Sequence, residues 1–366
     1  MSLRVLVADD SSLFRRAVAD ALAAIPEVEV VGQAANGKLA LQKILELRPD
    51  LVTLDIEMPE LDGLAVLESL RRTDSRSAII VISALTQRGG RLTMQALEKG
   101  AFDFITKPQG DSVAESRAVL IRELAPRVRA LAHRRQIRDL LRGLVQAPKP
   151  VGGPAPGLSH NPGALPSRVL VGRPQVVLIG VSTGGPVALA RLLPALPREL
   201  GVPVVIVQHM PALFTQSLAE NLASKCSLTV REAKDKEKLE AGTVLIAPGG
   251  RQLRLAAGPE SSIRVEVTDD PPENNCRPAV DYLFRSAANH LPGRAMAVIL
   301  TGMGSDGTLG LRLLRRHGCF AIAQDEATSV VFGMPRSAIE AGLVDVVLSI
   351  DAIAARIVAA VKGWGK

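Results

Sequence analysis

Three residues able to share one reaction stand at the ends of three apolar runs. VVLIGV leads into Ser182, PVVIVQ into His209, and AMAVIL into the turn TGMGSDG that carries Asp306. A serine hydroxyl is a weak nucleophile until a base takes its proton, and a neutral imidazole fills that role near pH 7. A buried carboxylate then fixes the imidazole tautomer and stabilises the imidazolium. Ser182 lies between Gly180 and Gly184, the G-x-S-x-G spacing of a strand-to-helix elbow that exposes a nucleophile. The order Ser, His, Asp differs from the α/β-hydrolase order and from those of chymotrypsin and subtilisin, which argues against a lipase-like fold. Each residue also has a plainer reading: a helix cap for Ser182, a satisfied surface imidazole for His209, a cap or turn residue for Asp306.

The turn TGMGSDG also matches a dinucleotide fingerprint, Gly302-x-Gly304-x-x-Gly307, with Asp325 and Glu326 further along the chain. In such a fold the cofactor pyrophosphate sits where the helix begins, drawn by unpaired N–H groups and the helix dipole. Asp306 puts a carboxylate in that place. Two anions a few ångströms apart repel by roughly 1 to 4 kcal/mol, which favours the carboxylate in place of the phosphate; an oxidoreductase that binds NAD at this turn is the rival reading.

A second group of polar residues interrupts strands near the N-terminus. Asp9 and Asp10 end RVLVADD, Asp55 ends LVTLD, Ser83 ends AIIVIS, and Lys107 follows FDFIT. In an open parallel sheet these points share the carboxyl edge, where ligands bind. Three carboxylates gathered there repel unless a cation joins them, and Mg²⁺ is the natural hard ion for oxygen ligands. A lysine and a hydroxyl at the same edge suit the oxygens of a phosphoryl group. Asp55 is then the best nucleophile, because Asp9 and Asp10 are adjacent and suited to the metal. Any one Asp at a strand end could instead cap a helix.

The elements that must position these groups alternate. RVLVAD, VEVVG, LVTLD, AIIVIS and FDFIT are separated by helical stretches such as SLFRRAVADALAAI, a pattern of parallel strands covered on both faces. The C-terminal half repeats it with VVLIGV, PVVIVQ, TVLIAP, AMAVIL, CFAIA and VDVVLS, and QLRLAAGPESSIRVEV reads as a hairpin. Between residues 143 and 174, 13 of 32 residues are Pro or Gly, the composition of a linker. Residues 113 to 150 hold nine Lys or Arg against three acidic residues, so most of the net charge of +7 is local. That segment reads as a solvated connecting helix with Leu124, Val128, Leu131, Ile137, Leu141 and Leu144 along one face; partner or nucleic-acid docking is the other reading. The expected units are therefore 1–124, a basic helix and linker at 125–172, and 173–366. With 366 residues, 47% of them hydrophobic, each main unit can form its own core. No apolar run is long enough to span a bilayer and MSLRVLVADD starts a strand, so a cytoplasmic protein without membrane insertion is expected. Cys226, Cys276 and Cys319 are widely spaced and read as reduced bystanders.

VLVADDSSLFRR, LDIEMPELDGL, ISALT and GAFDFITKP resemble the receiver domain of two-component response regulators, a flavodoxin-like five-stranded α/β fold. The resemblance implies Asp55 as phospho-acceptor, Asp9, Asp10 and the Glu57 carbonyl around Mg²⁺, and Ser83, Phe104 and Lys107 as the residues that respond to the phosphate. GVSTGGPVAL, VQHMPALFTQSLAENL, VLIAPGG, RPAVDYLF, LTGMGSDG and VVFGMPRSAIEAG resemble the catalytic domain of the chemotaxis protein-glutamate methylesterases, the CheB family, with a doubly wound and mostly parallel sheet. That resemblance implies Ser182 as nucleophile, His209 as base, Asp306 as its orienting acid, the Met303 N–H in an oxyanion hole and Thr183 close by, with no cofactor in this domain. It further implies glutamyl esters and glutamines on chemoreceptor cytoplasmic helices as substrate, and a chemotaxis histidine kinase as phosphodonor. A DNA-binding output is disfavoured, since no helix-turn-helix pattern can be placed and no nucleic-acid partner is expected. The family usually carries His where this chain has Arg251, and a D-G pair within Lys234 to Leu239.

Overall fold

The computed structural model describes residues 2–73, 77–109, 112–145, 173–259 and 262–363. The N-terminal unit contains β1 (Leu3–Ala8), α1 (Ser12–Ala23), β2 (Val28–Ala34), α2 (Gly37–Leu47), β3 (Leu51–Asp55), α3 (Gly63–Arg71), β4 (Ala78–Ser83), α4 (Gln87–Glu98), β5 (Asp103–Thr106) and α5 (Val113–Val145). Its five strands run parallel in the flavodoxin-like order β2-β1-β3-β4-β5. The central strand β3 is buried along its whole length, as its apolar run requires when helices cover both faces. Ser11, Asn36, Asp62 and Thr86 cap α1 to α4 with side-chain oxygens, which fixes where each helix starts.

The C-terminal unit follows with β6 (Val176–Val181), α6 (Gly185–Leu192), β7 (Val204–Gln208), α7 (Phe214–Ala223), β8 (Thr229–Glu232), β9 (Thr243–Ile246), β10 (Gln252–Ala257) and β11 (Ile263–Thr268). It continues through α8 (Val280–His290), β12 (Ala295–Ile299), α9 (Thr308–Arg316), β13 (Phe320–Gln324), α10 (Met334–Glu340), β14 (Val346–Leu348) and α11 (Ile350–Lys362). Seven parallel strands form the order β14-β13-β12-β6-β7-β9-β8, so the chain reverses direction across the sheet at β6. That reversal opens a crevice at the carboxyl ends of β12, β6 and β7. The expected hairpin is β10 paired antiparallel with β11, a separate two-stranded sheet.

Two features depart from the pattern reading. Edge strand β8, TVRE, was not expected, because only Val230 of its four residues is fully buried and the apolar run is missing. Helix α5 is continuous from Val113 to Val145, so the expected boundary at residue 124 falls inside one helix. Leu124 and Val128 are buried in the core of the first unit and Leu131 packs against it. The side chains of Ile137, Leu141 and Leu144, and the Pro/Gly-rich segment 146–172, lie outside the described residues. No helix among the described residues is long and apolar enough to cross a membrane.

The two units share an apolar seam. Phe104 of β5 stacks on Phe214 of α7 with centroids 4.9 Å apart and planes 6° from parallel. Helix α4 packs along α7, and Gly90 approaches Ser217 so closely that a Cβ there would lie 2.4 Å from Ser217 Oγ.

Candidate active site

Ser182 follows β6 and His209 follows β7, one residue beyond the register pair Val181 and Gln208. Asp306 comes from the turn after β12, which pairs with the other side of β6. All three thus reach the crevice at the carboxyl edge. The Ser182 turn is fixed by its backbone: its N–H donates to Thr301 O at 3.0 Å, and its carbonyl accepts from Gln208 Nε2 at 2.9 Å and Gly185 N–H at 2.8 Å. The turn needs glycine at 184, where φ is +78° and a Cβ would lie 2.5 Å from Val330 Cβ.

Asp306 is 4% exposed and its carboxylate is fully engaged. Oδ2 lies 2.7 Å from His209 Nε2 and accepts from Val280 N–H at 2.7 Å. Oδ1 accepts from Asp281 N–H at 3.0 Å, Gly307 N–H at 2.9 Å and Asn274 Nδ2 at 3.0 Å. Val280 and Asp281 open α8, whose own N-cap, Ala279, offers no side-chain oxygen. The carboxylate therefore fills the anion position of a helix N-terminus, which is why this glycine-rich turn carries an acid where a nucleotide fold would carry phosphate. Burial alone would raise its pKa, but the His209 hydrogen bond and the α8 N–H groups outweigh it and bring it down to about 2.

His209 is held the other way. Burial disfavours its charged form, yet the Asp306 hydrogen bond and the neighbouring Cys276 sulfur keep its pKa up at about 9. With Nε2 on Asp306, the nitrogen left to exchange a proton is Nδ1. That nitrogen faces Cys276 Sγ at 3.6 Å. The half-buried Ser182 hydroxyl forms no hydrogen bond among the described residues, so the structure brings the imidazole and the acid into contact and the serine to the adjacent strand end only.

Thr183 and Met303 flank this centre differently. Thr183 is buried, and its Oγ1 donates to Asp103 Oδ2 of β5 at 3.1 Å. Asp103 Oδ2 also accepts from Arg127 Nε at 2.8 Å, and Arg127 reaches Glu123 Oε2 at 3.1 Å. Half-exposed Met303 lines a cleft of about 1890 Å³ between the units, together with Gly184, Val330, Phe332, Arg336 and Arg129. Its backbone N–H donates to no acceptor among the described residues.

In the first unit Asp9, Asp10 and Asp55 offer carboxylate oxygens within 4.8 Å of one another. Lys107 Nζ lies 2.6 Å from Asp55 Oδ2 and 3.1 Å from Asp9 Oδ2. Asp9 Oδ2 is buried and forms no hydrogen bond, only this ion pair, and Asp10 is exposed. Burial raises the Asp55 pKa to about 6 against the pull of Lys107, with Asp9 adding to the rise. Such a set, with one buried oxygen lacking a hydrogen bond, fits a hard divalent cation. Glu57 N–H turns toward Asp55 Oδ1 at 3.4 Å, while its exposed side chain pairs with Arg88 at 3.3 Å. Ser83 Oγ donates to Gly89 O at 3.2 Å, and Phe104 points away from this pocket into the seam.

Sequence reasoning missed Cys276, Asn274 and Asp281. Asn274 Nδ2 bridges Asp281 Oδ2 at 2.8 Å and Asp306, and Asp281 Oδ1 accepts from Gly310 N–H at 2.6 Å. Cys276 is no bystander, because it contacts His209; Cys226 and Cys319 stand apart from the site.

Residues 177–357 match the family model for CheB methylesterase, and residues 5–117 match that for the response regulator receiver domain. A protein-glutamate methylesterase/protein-glutamine glutaminase of Desulfotalea psychrophila is 46% identical over 364 residues, covering 99% of both chains. One of the same name from Geobacillus kaustophilus is 42% identical over 360 residues, covering 98% of both. The crystal structure of the Thermotoga maritima CheB methylesterase catalytic domain is 44% identical, with a TM-score of 0.50 over 51% of this chain and 98% of that one.

Proposed function

The chain belongs to the CheB methylesterase family, and from that premise we propose that it hydrolyses glutamyl methyl esters, and deamidates glutamines, on the cytoplasmic helices of chemoreceptors, through a serine acyl-enzyme gated by phosphorylation. Full-length relatives bear the name protein-glutamate methylesterase/protein-glutamine glutaminase, which supports the reaction class and a role in chemotaxis. The observation that carries the mechanism is the 2.7 Å contact of His209 Nε2 with the buried Asp306, on the sheet edge that also presents Ser182.

In this reading His209 Nδ1 takes the Ser182 proton as the hydroxyl attacks the ester carbonyl. The tetrahedral intermediate collapses with return of that proton to the leaving methanol or ammonia, and water then releases the glutamate by the same route. Ser182 and His209 move into hydrogen-bond contact when substrate is seated, since catalytic hydrogen bonds are often unformed before that. The free Met303 N–H serves the oxyanion, a donor typically worth about 3 kcal/mol of barrier. Asp306 contributes by holding one tautomer and one ring position. No cofactor is called for in this domain.

The first unit acts as the gate. Asp55 accepts the phosphoryl group from a histidine kinase, and Ser83 and Lys107 engage its oxygens; Asp9, Asp10, Asp55 and the Glu57 carbonyl would hold Mg²⁺, which would neutralise charge there. Phe104 and Asp103 couple that event to the seam, so phosphorylation shifts the population from this closed packing toward an open one. The setting is the cytoplasm, with no nucleic acid and no membrane insertion.

The test is methanol release from methylated receptor by the full-length protein. Ser182→Ala is expected to lose at least about a thousandfold, by analogy with nucleophile removal in serine proteases. Near-normal release would overturn the nucleophile assignment.

A further inference from the structure

We infer that His209 Nδ1 and Cys276 Sγ form a binding site for a thiophilic divalent cation, Zn²⁺ being the best fit, and that its occupation reversibly stops the esterase. Two independent features carry this. The first is the separation of the two donor atoms, 3.6 Å. A tetrahedral zinc with bonds of about 2.3 Å to sulfur and about 2.0 to 2.1 Å to nitrogen places those atoms about 3.6 Å apart. Sulfur and imidazole therefore already stand at the bite distance of one ion.

The second feature is the support behind the imidazole. A metal-bound histidine characteristically gives its other ring N–H to a carboxylate, which fixes the tautomer and raises ligand basicity. His209 does this here, with Nε2 at 2.7 Å from Asp306 Oδ2. Asp306 itself stays outside the coordination shell, because both its oxygens are taken by the Val280, Asp281, Gly307 and Asn274 donors. Cys276 is half-buried and open to solvent, so water completes the tetrahedron.

Binding costs the thiol its proton and the imidazolium its Nδ1 proton, both released to solvent, and leaves Cys276 as a thiolate and His209 as a neutral imidazole ligand. It also occupies the Nδ1 lone pair that would take the Ser182 proton. The effect on turnover rests on the esterase reading; the binding does not. The receiver carboxylates select a hard cation with oxygen ligands, whereas sulfur and imidazole select a softer one, so the two sites differ in metal preference.

The experiment adds Co²⁺, then Zn²⁺, to the full-length reduced protein and reads thiolate-to-cobalt charge-transfer absorption, with methanol release assayed in parallel without phosphodonor. The expected result is a charge-transfer band displaced by Zn²⁺, retained in Cys226→Ser and lost in both Cys276→Ser and Cys276→Ala. Zinc inhibition, scaled to each variant's own metal-free rate, should weaken at least tenfold in the Cys276 variants and be reversed by chelator. A band that survives Cys276→Ser, or no band with wild type, overturns the site. A band without inhibition retains the metal site but contradicts His209 Nδ1 as the proton acceptor, which separates failure of this inference from failure of the esterase reading.

Discussion

Asp103, at the start of the last receiver strand, accepts a hydrogen bond from Thr183, the residue directly after Ser182, across 3.1 Å. Both side chains are buried, and the same Asp103 oxygen also holds Arg127. The contact ties the residue beside Phe104 to the residue beside Ser182. Asp103→Ala is therefore expected to raise basal methanol release without any phosphodonor. A hydrogen bond to a charged group is worth about 1.5 to 3 kcal/mol, so the closed packing should weaken by about tenfold or more. The gain in rate is capped by full opening. Unchanged basal release in Asp103→Ala would remove this contact from the gate.

Asp55 is the second lever. Its carboxylate sits 2.6 Å from Lys107 Nζ and within reach of the Asp9 and Asp10 oxygens. Replacement by Asn keeps the shape but removes the carboxylate oxygen that the proposed phosphorylation requires, so the increase in rate on adding acetyl phosphate with Mg²⁺ should vanish in Asp55→Asn. The ratio of rates with and without phosphodonor is the measurement. A ratio equal to that of the wild type would exclude Asp55 as phospho-acceptor.

These levers show what the residue order made readable. Asp9, Asp55, Ser182 and His209 stand at the ends of largely apolar strands and Asp306 in the glycine-rich turn after another, and a parallel sheet converts such endings into one common edge. Alternation of apolar runs with helical stretches located both sheets, and turn residues between two alternating runs located the hairpin. Cys276, Asn274 and Asp281 lack that signal: two come from the irregular stretch between β11 and α8, and the third from the first turn of α8. Their roles depend on that stretch folding back over Asp306, which no periodicity encodes. Asp103 reads as one polar residue in a short strand, and its partner Thr183 is 80 positions away. Strand β8 was hidden because an edge strand needs only one buried face.

Gly184 gives a prediction on stability. Its φ of +78° lies in the left-handed region, and a Cβ would meet Val330, which also packs on the receiver core. The strain of an L side chain in that region is roughly 1 to 2 kcal/mol, and overpacking adds about 1 to 3 kcal/mol. Gly184→Ala should lower stability to urea by about 2 to 5 kcal/mol, by addition of those two effects. Combining it with Val330→Ala should recover the overpacking part but not the backbone part. Additive destabilisation in the double variant would show that the two residues do not meet.

The pH dependence follows from the ring that Asp306 and Cys276 face. A general base must be neutral, and His209 is held protonated up to about pH 9. Below that value the neutral fraction falls tenfold per pH unit, so kcat/KM for methanol release should climb through neutral pH and level off above about 9. Asp281, linked to Asp306 through Asn274 and raised by burial to about 6, adds a smaller inflection on the acid side. Asp306→Asn removes the charge that supports the imidazolium, so the main inflection should move down toward the ordinary histidine value while the plateau falls. Loss of that orienting acid costs about 10⁴ in kcat in the serine protease triad. An inflection near pH 6.5 in the wild type, unmoved in Asp306→Asn, would show that the acid does not govern the base.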